Sequence, residues 1–178
     1  MHENLARSGR GLVMFAIASM LSLAQTASAQ SRPSPAVEFA AGAFLFPDDA
    51  LVTETLFGGS GRIYVSPRIS IGPEVAFGDG ANRRHLMLTG NVTFDLLPPS
   101  QGSPRRITPF VVIGAGLFRT TEDFPGSADF SSSEGAFTAG GGVRGFVARR
   151  VYVGGEVRVG WETHIRVNGL VGLVLGGD

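Results

Sequence analysis

The segment that most constrains the fold is residues 151–162, "VYVGGEVRVGWE", in which polarity changes at every step. The valines and Trp161 occupy odd-numbered positions, whereas Tyr152, Glu156 and Arg158 occupy even-numbered ones. A period of two predicts a β-strand, because successive side chains leave a pleated backbone on opposite faces. One face is uncharged, so it must lie against a protein core or against lipid.

Segments of this kind recur along the chain, with no helical periodicity of useful length between them. The sequence therefore predicts an all-β protein with eight strands of about ten residues each. We expect these strands at 36–46, 56–66, 69–78, 85–96, 109–118, 137–148, 151–162 and 165–176.

The connections between these segments differ in charge at the two ends of the predicted sheet, as an up-and-down antiparallel arrangement would produce. Arginines follow strands 2, 4 and 6, at what we call the basic end: Arg68, Arg105, Arg106, Arg149 and Arg150. Carboxylates predominate after strands 1, 3, 5 and 7, at the acidic end: Asp48, Asp49, Glu54, Asp79, Glu122, Asp123, Asp129 and Glu134.

The acidic end is the expected contact surface. We predict that it faces the cell exterior and binds divalent cations or a basic extracellular partner. The expected contacts are Asp48, Asp49, Glu122, Asp123 and Asp129.

The first 29 residues have the order of a secretory signal peptide. Arg7 and Arg10 precede an uncharged apolar stretch, and Ala27-Ser28-Ala29 offers small residues for cleavage. The apolar stretch is too short for a transmembrane helix, which needs about 20 residues. We expect a cleaved signal peptide at 1–29, a lead at 30–35 and a barrel domain at 36–178. Cysteine is absent and the formal net charge is zero, so neither disulfides nor general attraction to nucleic acid is expected.

The distribution of side-chain volume indicates which face meets lipid. An eight-stranded barrel has an interior barely wide enough for side chains to fill. In this sequence the bulky residues share the uncharged face, and glycine and alanine alternate with charges on the other. We therefore predict an exterior in lipid, with aromatic residues at the two membrane interfaces. These interface aromatics are Phe39, Phe57, Phe77, Phe94, Phe137 and Trp161.

The charges on the inner face have both signs, about one in each strand. Buried charges are costly unless they are paired, so we expect an interior plugged by ion pairs rather than a wide pore. The predicted network consists of Glu38, Arg62, Glu74, Asp95, Arg144, Glu156 and Arg158.

These features, with phrases such as "ISIGPEVAFG" and "PFVVIGAGLF", resemble the small outer-membrane β-barrel family that includes OmpA-like and OmpX-like barrels. The resemblance implies an eight-stranded antiparallel up-and-down transmembrane β-barrel in the outer membrane. It also implies a structural or surface-interaction role, outer-membrane lipid as partner, a monomeric state and no cofactor. Members often end the last strand on an aromatic residue, whereas this sequence ends in "VLGGD".

Two alternatives remain open at this point. A soluble periplasmic or secreted barrel would turn its valines inward and bind a small apolar ligand. A lipid-modifying outer-membrane enzyme resembling the deacylases would need a histidine with a nearby serine and an acid. Arg166 stands where a serine following His164 would be needed, and we expect His164 to lie in a solvated loop. We therefore expect neither an enzyme nor a metal site, His85 and His164 being on different strands.

Overall fold

The computed structural model describes residues 32–47, 52–97, 107–123, 130–161 and 163–176. The predicted signal peptide lies outside these residues. The strands are β1 Ala36–Phe46, β2 Val52–Tyr64, β3 Ile69–Asp79, β4 Arg83–Asp95, β5 Ile107–Glu122, β6 Phe130–Phe146, β7 Val151–Gly160 and β8 His164–Val174.

The eight strands form a closed barrel in which each pairs antiparallel with its sequence neighbours. β1 closes the ring by pairing with both β2 and β8; Phe39, for example, lies opposite Gly59 and Val171. The predicted all-β, up-and-down barrel is therefore confirmed. Closure leaves no free edge, so the ladders satisfy the backbone polar groups without help from water. Among the described residues, no helix has the length and apolar character needed to cross a membrane.

The outward side chains form a continuous apolar belt around the barrel. In each strand the outward positions carry only aliphatic or aromatic residues, proline, alanine or glycine over nine to eleven residues. A strand tilted by about 45° needs about 9–11 residues to cross a bilayer. We define the apolar belt by the outward residues of 37–45, 57–65, 69–77, 86–96, 107–117, 137–147, 151–161 and 165–175.

Three strands are longer at the acidic end than the sequence predicted. β2 begins at Val52 rather than residue 56, β5 continues to Glu122, and β6 begins at Phe130 rather than residue 137. Outward residues beyond the belt, such as Thr55 and Arg119, are polar. Strand pairing therefore extends past the last apolar residue of the outer face. We call residues 118–122 of β5 and 130–136 of β6 the hairpin extension. The other strand ends lie within about two residues of the predicted ones, an ordinary variation.

Apolar clusters close the interior at both ends and leave a polar middle layer between them. Towards the basic end the cluster consists of Ala36, Phe146, Tyr152 and Val174. Towards the acidic end it consists of Phe44, Phe46, Leu56, Ala76, Met87, Phe118 and Ala136. Buried charges therefore occupy the middle of the interior and also lie beside the apolar clusters, as Arg62 does opposite Ala36.

Small residues on the inner face allow this close packing. A Cβ at Gly72 would overlap the backbone carbonyl of Gly61, and one at Gly172 would overlap the ring of Tyr152. At these positions glycine is needed for close approach, since neither has positive φ. This agrees with the small residues that the volume argument assigned to the inner face.

Candidate functional sites in the interior and at the acidic end

The first group of interior charges lies towards the basic end. Glu38 Oε1 is 2.9 Å from Arg62 Nη2 and 3.5 Å from Arg144 Nη1, and Arg144 also pairs with the buried Asp95. Tyr152 donates a 3.0 Å hydrogen bond to Glu38 and accepts one of 2.6 Å from Arg62. Every carboxylate of this basic-end ion cluster therefore has a guanidinium partner. The cluster consists of Glu38, Arg62, Asp95 and Arg144.

A second group occupies the middle of the barrel. Arg158 lies 2.9 Å from Glu74 and 2.7 Å from Glu156, measured from its Nη1 and Nε respectively. Arg166 pairs with the other oxygen of Glu74, and Asn91 donates a hydrogen bond to the same carboxylate. We call these charged residues the central ion cluster: Glu74, Glu156, Arg158 and Arg166.

Each ion cluster contains two carboxylates and two guanidiniums, so each is formally neutral. Two voids beside the described residues of these clusters measure about 10 and 20 Å³, and a buried water needs about 10–15 Å³. Side chains therefore fill this section of the barrel almost completely.

The structure brings all seven charges of the predicted network into these two clusters. It also adds Arg166, which the sequence analysis omitted although it is only 1% exposed. The alternation of side chains along β8 could have revealed it. Arg166 and Asn168 alternate with the outward-facing Ile165 and Val167, so their side chains face the interior.

All six predicted interface aromatics lie on the outer surface, with exposed fractions between 38% and 71%. Four of them are the last outward residues of the apolar belt at the acidic end: Phe57, Phe77, Phe137 and Trp161. Phe57 and Phe77 lie opposite each other, and the Trp161 amide donates a 2.8 Å bond to the Phe137 carbonyl. Towards the basic end, Phe39 and Phe94 lie one outward position inside Val37 and Leu96.

Of the five acidic residues predicted as surface-loop contacts, the structure describes two, Glu122 and Asp123. Glu122 ends β5 instead of lying in a loop, and its carboxylate is 3.0 Å from Arg83 Nε. Asp123 follows it and lies 2.9 Å from Arg84 Nη2. The remaining three, Asp48, Asp49 and Asp129, lie outside the described residues. No group of three or more metal-ligating side chains occurs in the described ranges.

Two residues that the sequence analysis placed in links are buried inside the barrel. His164 begins β8 and is 2% exposed, which corrects its assignment to a solvated loop. Glu54 belongs to the extended part of β2, and its carboxylate lies 3.0 Å from His85 Nε2. Both errors have one cause: strand pairing continues beyond the apolar belt, where no outward apolar residue marks it.

His85 lies at the centre of an aromatic stack. Its ring centroid is 5.0 Å from that of Phe46 and 5.0 Å from that of Phe118, and the His164 ring stacks on Phe118 with a centroid distance of 5.4 Å. The opposite nitrogen, Nδ1, is 3.0 Å from Thr120 Oγ1. Glu54, His85 and Thr120 thus follow the acid–imidazole–hydroxyl order of many hydrolases.

The order alone does not make a catalytic site. Acyl transfer also needs hydrogen-bond donors directed at a developing oxyanion. Thr120 lies between His85 and Ser132 in the sheet, so its backbone amide belongs to a strand ladder. We therefore regard this chain of contacts as a means of orienting His85 and Thr120.

Above this stack, at the acidic end, lies a cleft of about 420 Å³. The hairpin extension supplies one side of it, and Arg83 and Thr163 supply part of the other. Pockets that bind small molecules commonly measure about 300–1,000 Å³ and combine apolar walls with a few polar groups. The described part of this cleft meets both conditions. Its lining comprises Phe46, Arg83, His85, Phe118, Thr120, Glu122, Phe130, Ser132, Glu134 and Thr163.

The barrel is similar to several solved structures. The N-terminal β-barrel domain of Pseudomonas aeruginosa OprF aligns with a TM-score of 0.61 at 12% identity, over 82% of this chain and 100% of that one. Neisserial surface protein A gives 0.62 at 11% identity, over 79% and 96%. Ail, the attachment invasion locus protein of Yersinia pestis, solved with the heparin analogue sucrose octasulfate, gives 0.55 at 11%, over 81% and 99%.

No protein-family model and no curated protein matches the sequence. At such low identity the structural likenesses show the fold alone. They confirm the one expected from the sequence, that of the small eight-stranded outer-membrane β-barrels.

Proposed function

We propose that this protein, whose fold is that of the small outer-membrane β-barrels, is a monomeric barrel of a bacterial outer membrane. Its interior is closed by ion pairs, and its role is structural or surface-interactive, carried out at the acidic end. The observation that carries the proposal is the uncharged outer belt of membrane-spanning height around a charged, filled interior. Lipid is the solvent that favours this arrangement.

The filled middle layer supports a closed barrel. Opening a path for ions would require displacing paired guanidiniums, and a buried charge that loses its partner costs about 3–5 kcal/mol. The Phe110 ring also lies 4.3 Å from the Arg144 guanidinium, which adds packing to its two ion pairs. The basic-end cluster is thus held by aromatic contacts as well as by charge.

Planar-bilayer recording tests the closed interior. We expect no stable conductance steps from wild-type protein at amounts that give dense insertion. The Arg62→Ala/Arg144→Ala variant leaves Glu38 and Asp95 without their guanidiniums, so we expect it to conduct cations more often than wild type. Gel mobility before and after boiling should verify folding of both proteins. Large, stable openings of the wild-type barrel would contradict the proposal.

The hairpin extension supports a role at the acidic end. From Leu117 to Glu122 the strand continues for five residues, about 17 Å at about 3.4 Å per residue. Its outward side chains there, Arg119 and Thr121, are polar, so this part suits water rather than lipid. We propose that the extension and the cleft beside it face the cell exterior and receive a basic partner.

The two alternatives receive less support. A soluble barrel would have to expose the whole apolar belt to water while burying two ion clusters. An enzyme would need more than the Glu54–His85–Thr120 contacts, so our proposal includes no catalytic activity. Hydrolysis of acyl esters that is lost in His85→Ala would overturn that part of it.

A further inference from the structure

The cleft at the acidic end contains a combination of groups that the closed-barrel role does not require. Its base is the aromatic stack of Phe46, His85 and Phe118, at the end of the filled interior. Phe130 lies on the hairpin extension, faces the same cleft and is 61% exposed. Binding of a ligand that covers such apolar surface lowers the free energy by about 25 cal/mol per Å² of area removed from water.

The charges of the described residues that line the cleft do not cancel. Arg83 is the single arginine among its described lining residues, and Glu122 neutralises it at 3.0 Å. Glu134 accepts a 3.1 Å hydrogen bond from Ser132 Oγ, and no cationic group of the described chain lies within ion-pair distance of it. The described lining thus has one carboxylate in excess, beside exposed aromatic surface.

Histidine does not offset this charge. His85 Nδ1 lies 3.0 Å from Thr120 Oγ1, and Nε2 is buried 3.0 Å from a carboxylate oxygen of Glu54, so neither nitrogen faces a ligand. What His85 presents to the cleft is part of an aromatic stack. Among the described aromatic residues that line the cleft, Phe130 alone is exposed, and the face of such a ring attracts a cation by about 0.5–1 kcal/mol.

We propose that this cleft binds an amphipathic organic cation, with its apolar part against the exposed ring of Phe130, at the edge of the buried Phe46 and Phe118, and its ammonium group near Glu134. A cleft of about 420 Å³ accommodates a molecule of one aromatic ring and a substituted ammonium. The inference rests on the proposed function only in placing the cleft at the cell exterior. Binding itself requires only the folded barrel.

Titration calorimetry on the full chain in non-ionic detergent, with benzyltrimethylammonium as probe, tests this inference. Phenylacetate, an aromatic anion of similar size, is the matched ligand, and we expect it not to bind. Glu134→Gln and Phe130→Ala should each weaken binding of the cation by roughly threefold to tenfold, as expected for loss of one exposed ion pair or one aromatic contact.

The control variant is Asp79→Asn, which removes an exposed carboxylate at the same end but on the outer face. It should bind the cation as wild type does. Glu134→Lys should abolish cation binding and allow phenylacetate to bind, a change of sign that loss of structure would not produce. Equal affinity of wild type for the two probes, no saturable binding of the cation, or unchanged affinity in Glu134→Gln would overturn the inference.

The binding experiment can fail or succeed independently of the proposed function. A barrel that conducts ions or resides outside the outer membrane could still bind the cation in detergent. Conversely, a closed outer-membrane barrel that shows no saturable binding would contradict the cleft assignment alone.

Discussion

Glycines on the inner face determine how closely neighbouring strands approach, and Gly72 is the clearest case. Gly72→Ala places a Cβ against the carbonyl of Gly61 on the facing strand. Because backbone has to move, we expect a loss of unfolding free energy of about 1–3 kcal/mol. Gly61→Ala is the matched control, since nothing lies within 4 Å of a Cβ there. Urea titrations in lipid vesicles should separate the two, and equal losses would contradict the packing described here.

Glu74 is the residue on which the central ion cluster depends most. Glu74→Gln keeps its shape but leaves Arg158 and Arg166 short of a negative charge, so we expect unfolding free energy to fall by about 3–5 kcal/mol. Adding Arg166→Gln should recover part of that loss, because the second change removes a charge that has become unpaired. The same urea titration measures both variants. Additive losses in the double variant would show that the two residues are not coupled.

At the scale of elements, β5 combines a membrane-spanning segment with a segment beyond the membrane. Ile113 lies near the middle of its apolar belt, whereas Thr121 has the same outward orientation four residues beyond the end of the belt. Arginine at mid-membrane costs about 2–4 kcal/mol and near an interface about 0–1. We therefore expect Ile113→Arg to lower the folded fraction in vesicles strongly and Thr121→Arg to leave it nearly unchanged. An equal fall in folded fraction for the two variants would mean that the apolar belt of β5 does not end at Leu117.

The limits of the sequence prediction are visible in these same elements. The number, order and pairing of the strands were predictable because the belt makes seven of them alternate in polarity, whereas both faces of β5 are apolar from Pro109 to Phe118. The starts of β2 and β6 and the end of β5 were not, because Thr55 and Arg119 make both faces polar there.

For the same reason Glu54 was assigned to a link, and its contact with His85 was missed. The pairing of particular charges, such as Arg166 with Glu74 across 92 positions of sequence, depends on the barrel register, which a single sequence does not reveal.

At the scale of the whole molecule, we propose that the acidic end faces the cell exterior. Cysteine is absent from the sequence, so single cysteines can report orientation without background. We expect Ser131→Cys, on the hairpin extension, to react with a membrane-impermeant maleimide on intact cells. Arg149→Cys, in the opposite turn, should react only after the outer membrane is opened. Val111→Cys, in the belt, should react in neither case, because a thiol in lipid does not ionise. The reverse pattern for the first two would invert the orientation.

The central claim, that the apolar belt faces lipid, is tested most directly with Trp161. It is the single tryptophan of the sequence and is 71% exposed at the end of the belt. In vesicles of brominated lipids, its fluorescence should be quenched most by bromines near the headgroups. In the Trp161→Phe/Val157→Trp variant, bromines deep in the acyl chains should quench most, because Val157 lies in the middle of the belt. If aqueous iodide quenched both proteins and brominated lipid quenched neither, the valines would not face lipid and the account would be wrong.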